Sequence, residues 1–438
     1  MPYRIAAWPR PGYAFRVAAM YAALFAVFGL HMPYVGLWLE ARGLDAATIG
    51  TIGAIPLILR VVANPLIAIA ADQQQRHADY ARGLVIAGAL AALGLAFADT
   101  TIAIALALAL MLVAIQSSMP LIEVVATRGA GTHGFSYSGV RLWGSVSFIA
   151  AVAIGGAAIE RAGPQAFLPL LLAAVLLSVA AVVLLPTPPR TEAASSVPDP
   201  QANEVDALGR RLSEAPRYPE RRVAPLPPST RITSRHLSGV LSLLLDVRFV
   251  VFLFATALIQ AAHATYYGFS AIHWSRAGMS GDVIGALWSL GVVAEIVLFA
   301  TAARHFRSIG AAGLIIAGGL ASILRWSAMA LEPGLAALIG LQVLHALTFG
   351  ATHLGAIKFI SEQVDPRQAG LAQALMSTAT SGVAMAGALY AAGKLYEPLG
   401  ASSFGVMAAL GAAGTLAAFG LSRLLSGKSH AIGAPTRG

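Results

Sequence analysis

Five charged residues stand inside otherwise apolar runs of this chain: Arg60, Glu123, Arg141, Glu295 and Arg325. An ionised side chain at the centre of an apolar slab costs at least ~2.5–3.5 kcal/mol, so such residues normally face a cavity or one another. Three of the five are cations and two are anions, so one cation is unmatched when all are ionised. An unmatched buried cation attracts an anion. Arginine in particular presents a planar fork that meets a carboxylate through two parallel hydrogen bonds. The chemistry indicated is therefore recognition of a monocarboxylate, although protonation of either glutamate or of a nearby histidine changes the sum. Arg60 and Glu295 lie mid-run. Glu123 and Arg141 lie nearer the ends of theirs, where an interfacial pair is the alternative, and Lys358 is placed to reach out to headgroups.

Polar stripes accompany these charges. Thr256, Gln260, His263, Tyr267 and Ser270 fall on one helical face, as do Gln342, His345, Phe349, Thr352 and His353. Shorter stripes hold Gln116, Glu123 and Thr127, and Gln373, Ser377 and Thr380. For the serines and threonines the alternative is bonding between helices. His263 and His345 can carry protons near neutral pH; His353 is open between the two roles, and His31 is read as interfacial. Phe25, Phe28, Tyr34, Trp143, Tyr266, Tyr267, Trp288 and Trp326 can line an apolar pocket. Packing or lipid contact is the alternative for each.

The elements that must position these residues are helices. Apolar residues make up 57% of the 438, charged residues only 11%, and mean hydropathy is +0.73. Soluble domains carry about 25% charged residues, so there is too little polar side chain here to cover them. With no cysteine, thiolate metal sites, thiol nucleophiles and a disulfide scaffold are excluded. Twelve apolar runs are each long enough to cross a bilayer as a helix: 16–38, 48–71, 82–98, 100–125, 137–159, 163–185, 248–274, 282–303, 308–331, 334–360, 370–393 and 402–425. The first run lacks a cleavage site and is expected to remain in place. Alternate loops hold 21 Lys and Arg on one side against Arg42, Arg161, Arg276 and Lys394 on the other. Both termini are therefore expected in the cytoplasm.

Ten of the 23 prolines fall between Pro186 and Pro228 among charged and small polar residues, a composition that predicts disorder. Leu237, Val240, Leu241, Leu244 and Leu245 then predict a short amphipathic helix. The expected organisation is a six-helix bundle over 1–185, a linker over 186–247, a second bundle over 248–425 and a tail over 426–438. The halves echo one another: GLDAATIG at 43–50 follows Trp38, and GMSGDVIG at 278–285 follows Trp274. Arg60 and Glu295 each stand ten residues beyond the closing glycine. Two parallel six-span repeats with a midplane site are the plan of major facilitator transporters.

Three segments carry a closer likeness: AAHATYYGFSAIHW at 261–274, LWSLGVVAE at 287–295 and YSGVRLWGS at 137–145. They resemble the bacterial phenylpropionate permease family of the major facilitator superfamily. The resemblance implies proton-driven uptake of an aromatic acid across the inner membrane. A remoter likeness is to lactose permease and the oligosaccharide–proton symporters, whose span-four and span-five pair is matched by Glu123 and Arg141. His345, Glu295 and Arg325 resemble that family's span-ten histidine and its span-eight and span-nine charges, and GKLYEPLG at 393–400 resembles its loop before span twelve. Thr348 stands where that family has a glutamate, and the loop Asp72 to Arg76 is a degraded form of the superfamily's motif.

Together these imply an all-α transporter working by alternating access. Arg141, poised against Glu123, is expected to hold the substrate carboxylate, with Arg60 as a second anion contact and further substrate contacts at His263, Tyr267 and Trp143. Glu295 and Arg325 are expected to form an exchanging pair, with His345 and His263 tuning the proton. No metal and no cofactor is expected, the proton gradient being the energy source. The partners are a small organic anion, protons and the bilayer, for a monomer with no nucleic-acid role. The alternatives within transport are a sugar or nucleoside symporter and an exporter. An embedded enzyme would need a zinc helix or paired aspartates, and a channel would need a charge ring or pore loop; the sequence has neither.

Overall fold

The computed structural model describes residues 12–187, 234–306 and 308–427. Most of the expected linker, the tail and the basic residues they carry lie outside the described residues. The first half comprises α1 (Tyr13–Ala41), α2 (Ala46–Gln74), α3 (His77–Leu95), α4 (Thr101–His133), α5 (Tyr137–Ala162) and α6 (Phe167–Leu184). A short helix, α7 (Ser234–Leu244), lies where the amphipathic pattern predicts one. The second half comprises α8 (Val247–Ala261), α9 (Ala264–Arg276), α10 (Gly281–His305), α11 (Ala311–Met329), α12 (Leu335–Val343), α13 (Thr352–Gln363), α14 (Ala369–Ser377), α15 (Met385–Leu399) and α16 (Ser403–Leu425).

Eleven stretches of these helices are long and apolar enough to cross a membrane. The last, Ala369–Leu425, runs for 57 residues, or about 85 Å at 1.5 Å per residue, against a hydrocarbon core of ~30 Å. It turns back at Gly400, whose φ of +51 is open to glycine, and so supplies two crossings. Among the described residues twelve crossings in two bundles result.

Three irregularities depart from the expected continuous spans. Span seven breaks between α8 and α9 at Ala262 and His263. Wide π turns occupy Ala346–Ala351, between α12 and α13, and Thr378–Ala384, between α14 and α15. Such turns concentrate at functional sites in helices. In addition α4 runs on to His133, well past the expected end at 125.

The echoed octapeptides have a common physical basis. Gly43 and Gly278 adopt φ of +82 and +83, which ends the preceding helix. Two residues later Asp45 and Ser280 cap the next helix, accepting from the backbone N–H of Thr48 at 2.7 Å and of Val283 at 3.4 Å. Trp38 and Trp274 are both buried.

Within the first bundle α1 packs on α5 and α6, and α3 on α4; within the second, α16 packs on α8 and α11. The bundles meet through α2 against α15, α5 against α10 and α1 against α9. At the end bearing the α1–α2 and α9–α10 loops they are latched. Gly50 and Gly393 approach so closely that a Cβ on Gly50 would lie 2.7 Å from the Gly393 Cα. Arg276 donates to Glu40 at 2.7 Å, and Glu160 accepts from the Gly281 N–H at 2.6 Å. Large apolar side chains such as Leu90 and Leu177 are exposed on the outer faces, as a lipid-facing surface requires.

Candidate functional site

A cavity of about 390 Å³ lies between the bundles, within the size range of small-molecule sites. Six spans build its wall. From the first bundle come Phe28, His31 and Met32 on α1, Pro56, Leu57 and Arg60 on α2, and Leu112, Gln116 and Met119 on α4. From the second come Gln260 on α8, Tyr267 on α9, Phe349 and Ser381 in the two π turns, and Met385 and Leu389 on α15. Among the described residues, Arg60 is the one lining side chain that is always charged, and no carboxylate lines the wall. Its Nε is buried without a hydrogen-bond partner among the described residues. The cavity is thus an apolar slot with one uncompensated cation.

A second cluster, between α4 and the start of α5, contains Glu123, Tyr137 and Arg141. The Arg141 Nε lies 3.6 Å from Glu123 Oε1, and the Tyr137 hydroxyl donates to Glu123 Oε2. The Arg141 guanidinium also stacks on Phe25 at 4.3 Å and Tyr21 at 5.4 Å. Both charged side chains remain 32% exposed. Arg141 therefore already has a carboxylate and two aromatic faces, whereas Arg60 has neither.

The third cluster lies inside the second bundle. Arg325 is fully buried and donates to Gln342 at 2.8 Å, to Thr348 at 3.3 Å and to His345 Nδ1 at 3.1 Å. Because arginine can only donate, His345 Nδ1 accepts, and the histidine proton sits on Nε2. That nitrogen lies 3.7 Å from Glu295 Oε2. His263 Nδ1 donates to the Gln260 carbonyl at 3.1 Å, so its Nε2 accepts from the Thr348 hydroxyl at 3.0 Å. The π turn at Ala346–Ala351 brings Thr348 to both partners, and the Arg325 guanidinium packs on Tyr266 and Trp326 at 4.7 and 4.4 Å.

These positions correct several expectations. Glu295 and Arg325 do not pair directly; His345 stands between them, bonded to one and facing the other. His263 is fully buried behind the cavity wall and holds the α8–α9 break to the π turn, so it does not offer itself to substrate. Trp143 is 57% exposed beside Leu142 and Val146 on the outer stripe of α5, because its register points away from the partner bundle. His31, read from sequence as interfacial, lines the cavity. Gln116, Gln260 and Gln342 were visible only as members of polar stripes; Tyr137 and Ser381 gave no signal beyond their residue type. Tyr267 and Arg60 line the cavity.

A model of the MFS_1 like family matches residues 14–409. The chain is 31% identical over 399 residues to the probable 3-phenylpropionic acid transporter of Escherichia coli (strain K12), covering 90% of this chain and 93% of the relative. It is 27% identical over 369 residues to the maltose permease of Geobacillus stearothermophilus, covering 83% and 82%. Among solved structures, the nucleoside transporter NupG superposes with a TM-score of 0.72 at 16% identity, over 95% of this chain and 100% of that one. A bacterial homolog of the human lysosomal transporter Spinster, inward-facing and occupied, gives 0.67 at 14% identity over 95% and 98%. At such identities the two structures speak for the fold.

Proposed function

The chain belongs to the MFS_1 like family and is a multi-pass membrane transporter, not an enzyme; from that premise we propose that it takes up a small aromatic monocarboxylate together with a proton. The observation that carries this reading is the interbundle cavity with its single unpaired cation, Arg60. The ligand that leaves such a cavity neutral is a monoanion. Its ring would lie against Phe28, Tyr267 and Phe349, the aromatic part of the wall, and its carboxylate would accept from the Arg60 guanidinium. The relative's aromatic acid, a phenyl ring on a three-carbon acid, fits both halves of that description.

Arg141, paired with Glu123, which in turn accepts from the Tyr137 hydroxyl, serves as a secondary anion station. Glu295, 22% exposed and facing His345 Nε2, carries the coupled proton. When Glu295 is ionised it attracts the His345 N–H, and through His345 it is joined to Arg325; when protonated it releases that contact. Substrate and proton thereby act on the same rocking motion, with coupling expressed as a shared preference for one conformer. Uptake proceeds across the bacterial inner membrane with both termini in the cytoplasm.

Counterflow in proteoliposomes tests the substrate class. Vesicles loaded with unlabelled 3-phenylpropionate, maltose or uridine are given labelled tracer outside, and protein-free vesicles are subtracted because the neutral acid crosses lipid unaided. We expect protein-dependent exchange with the acid alone. Exchange of maltose or uridine without the acid would discard the carboxylate reading and leave the fold intact.

A further inference from the structure

Arg60 is not the sole orphan in the cavity. His31, on α1, lines the same cavity wall as Arg60 on α2. Its Nδ1 is buried with no hydrogen-bond partner among the described residues. Its Nε2 makes no hydrogen bond to the described protein either, yet it is not sealed off. A neutral imidazole carries one proton. Placing it on Nδ1 would bury an unsatisfied donor, a costly arrangement, so the proton belongs on Nε2, the nitrogen open to the cavity. Arg60 is alike in kind: its Nε is enclosed and unbonded, while its terminal nitrogens are not enclosed. Two donors from adjacent helices therefore meet one cavity, and no acceptor among the described residues answers either.

A polar group left without a partner in such surroundings is retained against its cost when a ligand supplies the partner. Two donors of this kind call for two acceptor atoms on one small group. We propose that His31 and Arg60 form a two-point carboxylate site, the guanidinium holding one oxygen and the His31 Nε2–H the other. The inference rests on the monocarboxylate reading above and deepens it, because it makes His31 a specificity-determining residue. The site carries a single fixed positive charge, so it suits a monoanion over a dianion. It also distinguishes a carboxylate from the corresponding amide, whose NH₂ would confront one of the two donors.

Affinity of the purified full-length protein for 3-phenylpropionate and for 3-phenylpropanamide measures this directly. The readout is the ratio of the two affinities, which a general loss of folding or of cavity shape would not shift selectively. We expect the wild-type protein to favour the acid. In His31→Ala the ratio falls about tenfold, the loss that goes with one hydrogen bond to a charged acceptor, while amide binding persists. His31→Gln, which keeps an N–H donor near the Nε2 position, restores the ratio to within about threefold of wild type on the same grounds. Arg60→Gln removes the preference for the acid. An unchanged ratio in His31→Ala, with the acid still preferred in wild type, overturns the two-point site and leaves the monocarboxylate reading standing. Absence of any preference for the acid in wild type overturns that reading, and the two-point site with it.

Discussion

Replacing Gly393 with alanine should unlatch the closed end of the transporter. The added Cβ would lie 2.6 Å from the Ala46 carbonyl oxygen and 2.9 Å from the Gly50 Cα. Both are backbone atoms, so no rotamer change clears them. Ordinary contact begins near 3.4 Å, so α2 and α15 must part by roughly 0.8 Å, the difference between those two distances. Overpacking of this kind costs ~1–3 kcal/mol. The penalty falls on the latched conformer alone, because the contact is made between the bundles; the better helix propensity of alanine favours both conformers equally. At about 1.4 kcal/mol per factor of ten, the equilibrium moves ~5–150-fold toward the conformer open at that end. The chain has no cysteine, so a single one introduced at the cavity residue Ser381 can be labelled cleanly. An impermeant thiol reagent applied from the side of the α1–α2 loop reads the opening. We expect Ser381→Cys with Gly393→Ala to label at least about fivefold faster than Ser381→Cys alone, the lower bound of the same estimate. Equal labelling rates, in protein of equal yield, would refute the reasoning that this glycine contact holds the end shut.

Three further outcomes follow from the other clusters. Glu295→Gln keeps the shape beside His345 and removes the titrating oxygen, so uphill accumulation should vanish while counterflow persists; retained accumulation would remove Glu295 from the proton path. Thr348→Val takes the donor from His263 Nε2 and an acceptor from Arg325, and an unsatisfied buried group costs ~1–3 kcal/mol; unfolding in detergent should shift to lower temperature, and an unchanged midpoint would contradict the network. At the head of α8, burial pushes the Asp246 carboxyl up, but hydrogen bonds from the Arg248 side chain and backbone outweigh it and hold the group below its ordinary value. A depressed carboxylate stabilises the fold fully above its unfolded pKa of ~3.9 and loses that contribution as pH falls through the folded value. Thermal stability should therefore drop below about pH 4 less steeply in Asp246→Asn than in wild type; identical slopes would show that the group does not matter.

The charged residues were legible because charge inside an apolar run has few explanations. The repeat was legible for a similar reason: Gly43 with Asp45, and Gly278 with Ser280, are a helix stop and a helix start, and local chemistry of that kind survives in sequence. What the charges touch was less legible. Arg60 and Tyr267 lie more than two hundred residues apart, and no local pattern states that α2 and α9 share a cavity. Trp143 misled because an aromatic residue next to a functional arginine has the same type whether it faces lipid or substrate, and one position of helical register decides between them. His31 misled through its place near the expected outer end of a span; α1 continues to Ala41, which leaves His31 deeper than the hydropathy run implied. The break at Ala262 and His263 carries no proline or glycine, and neither π turn has a local sequence signature. The break and the first π turn are joined by tertiary bonds, those Thr348 makes to His263 and Arg325.

Gradient-driven uptake of labelled 3-phenylpropionate, measured in parallel for wild type and Arg60→Gln and corrected for protein-free vesicles, tests the central claim most directly. A guanidinium–carboxylate pair is worth ~0–1 kcal/mol when exposed and ~3–5 kcal/mol when one partner of a buried pair is removed. Arg60 is half-buried in an apolar wall, so a loss of ~2–3 kcal/mol, or about 30–150-fold in apparent affinity, is expected. We expect wild type to accumulate the acid and to lose accumulation when a protonophore is added, with Arg60→Gln reduced by that factor. Undiminished uptake by Arg60→Gln, at equal protein in the vesicles, would contradict the assignment of the unpaired cation as the anchor of the substrate.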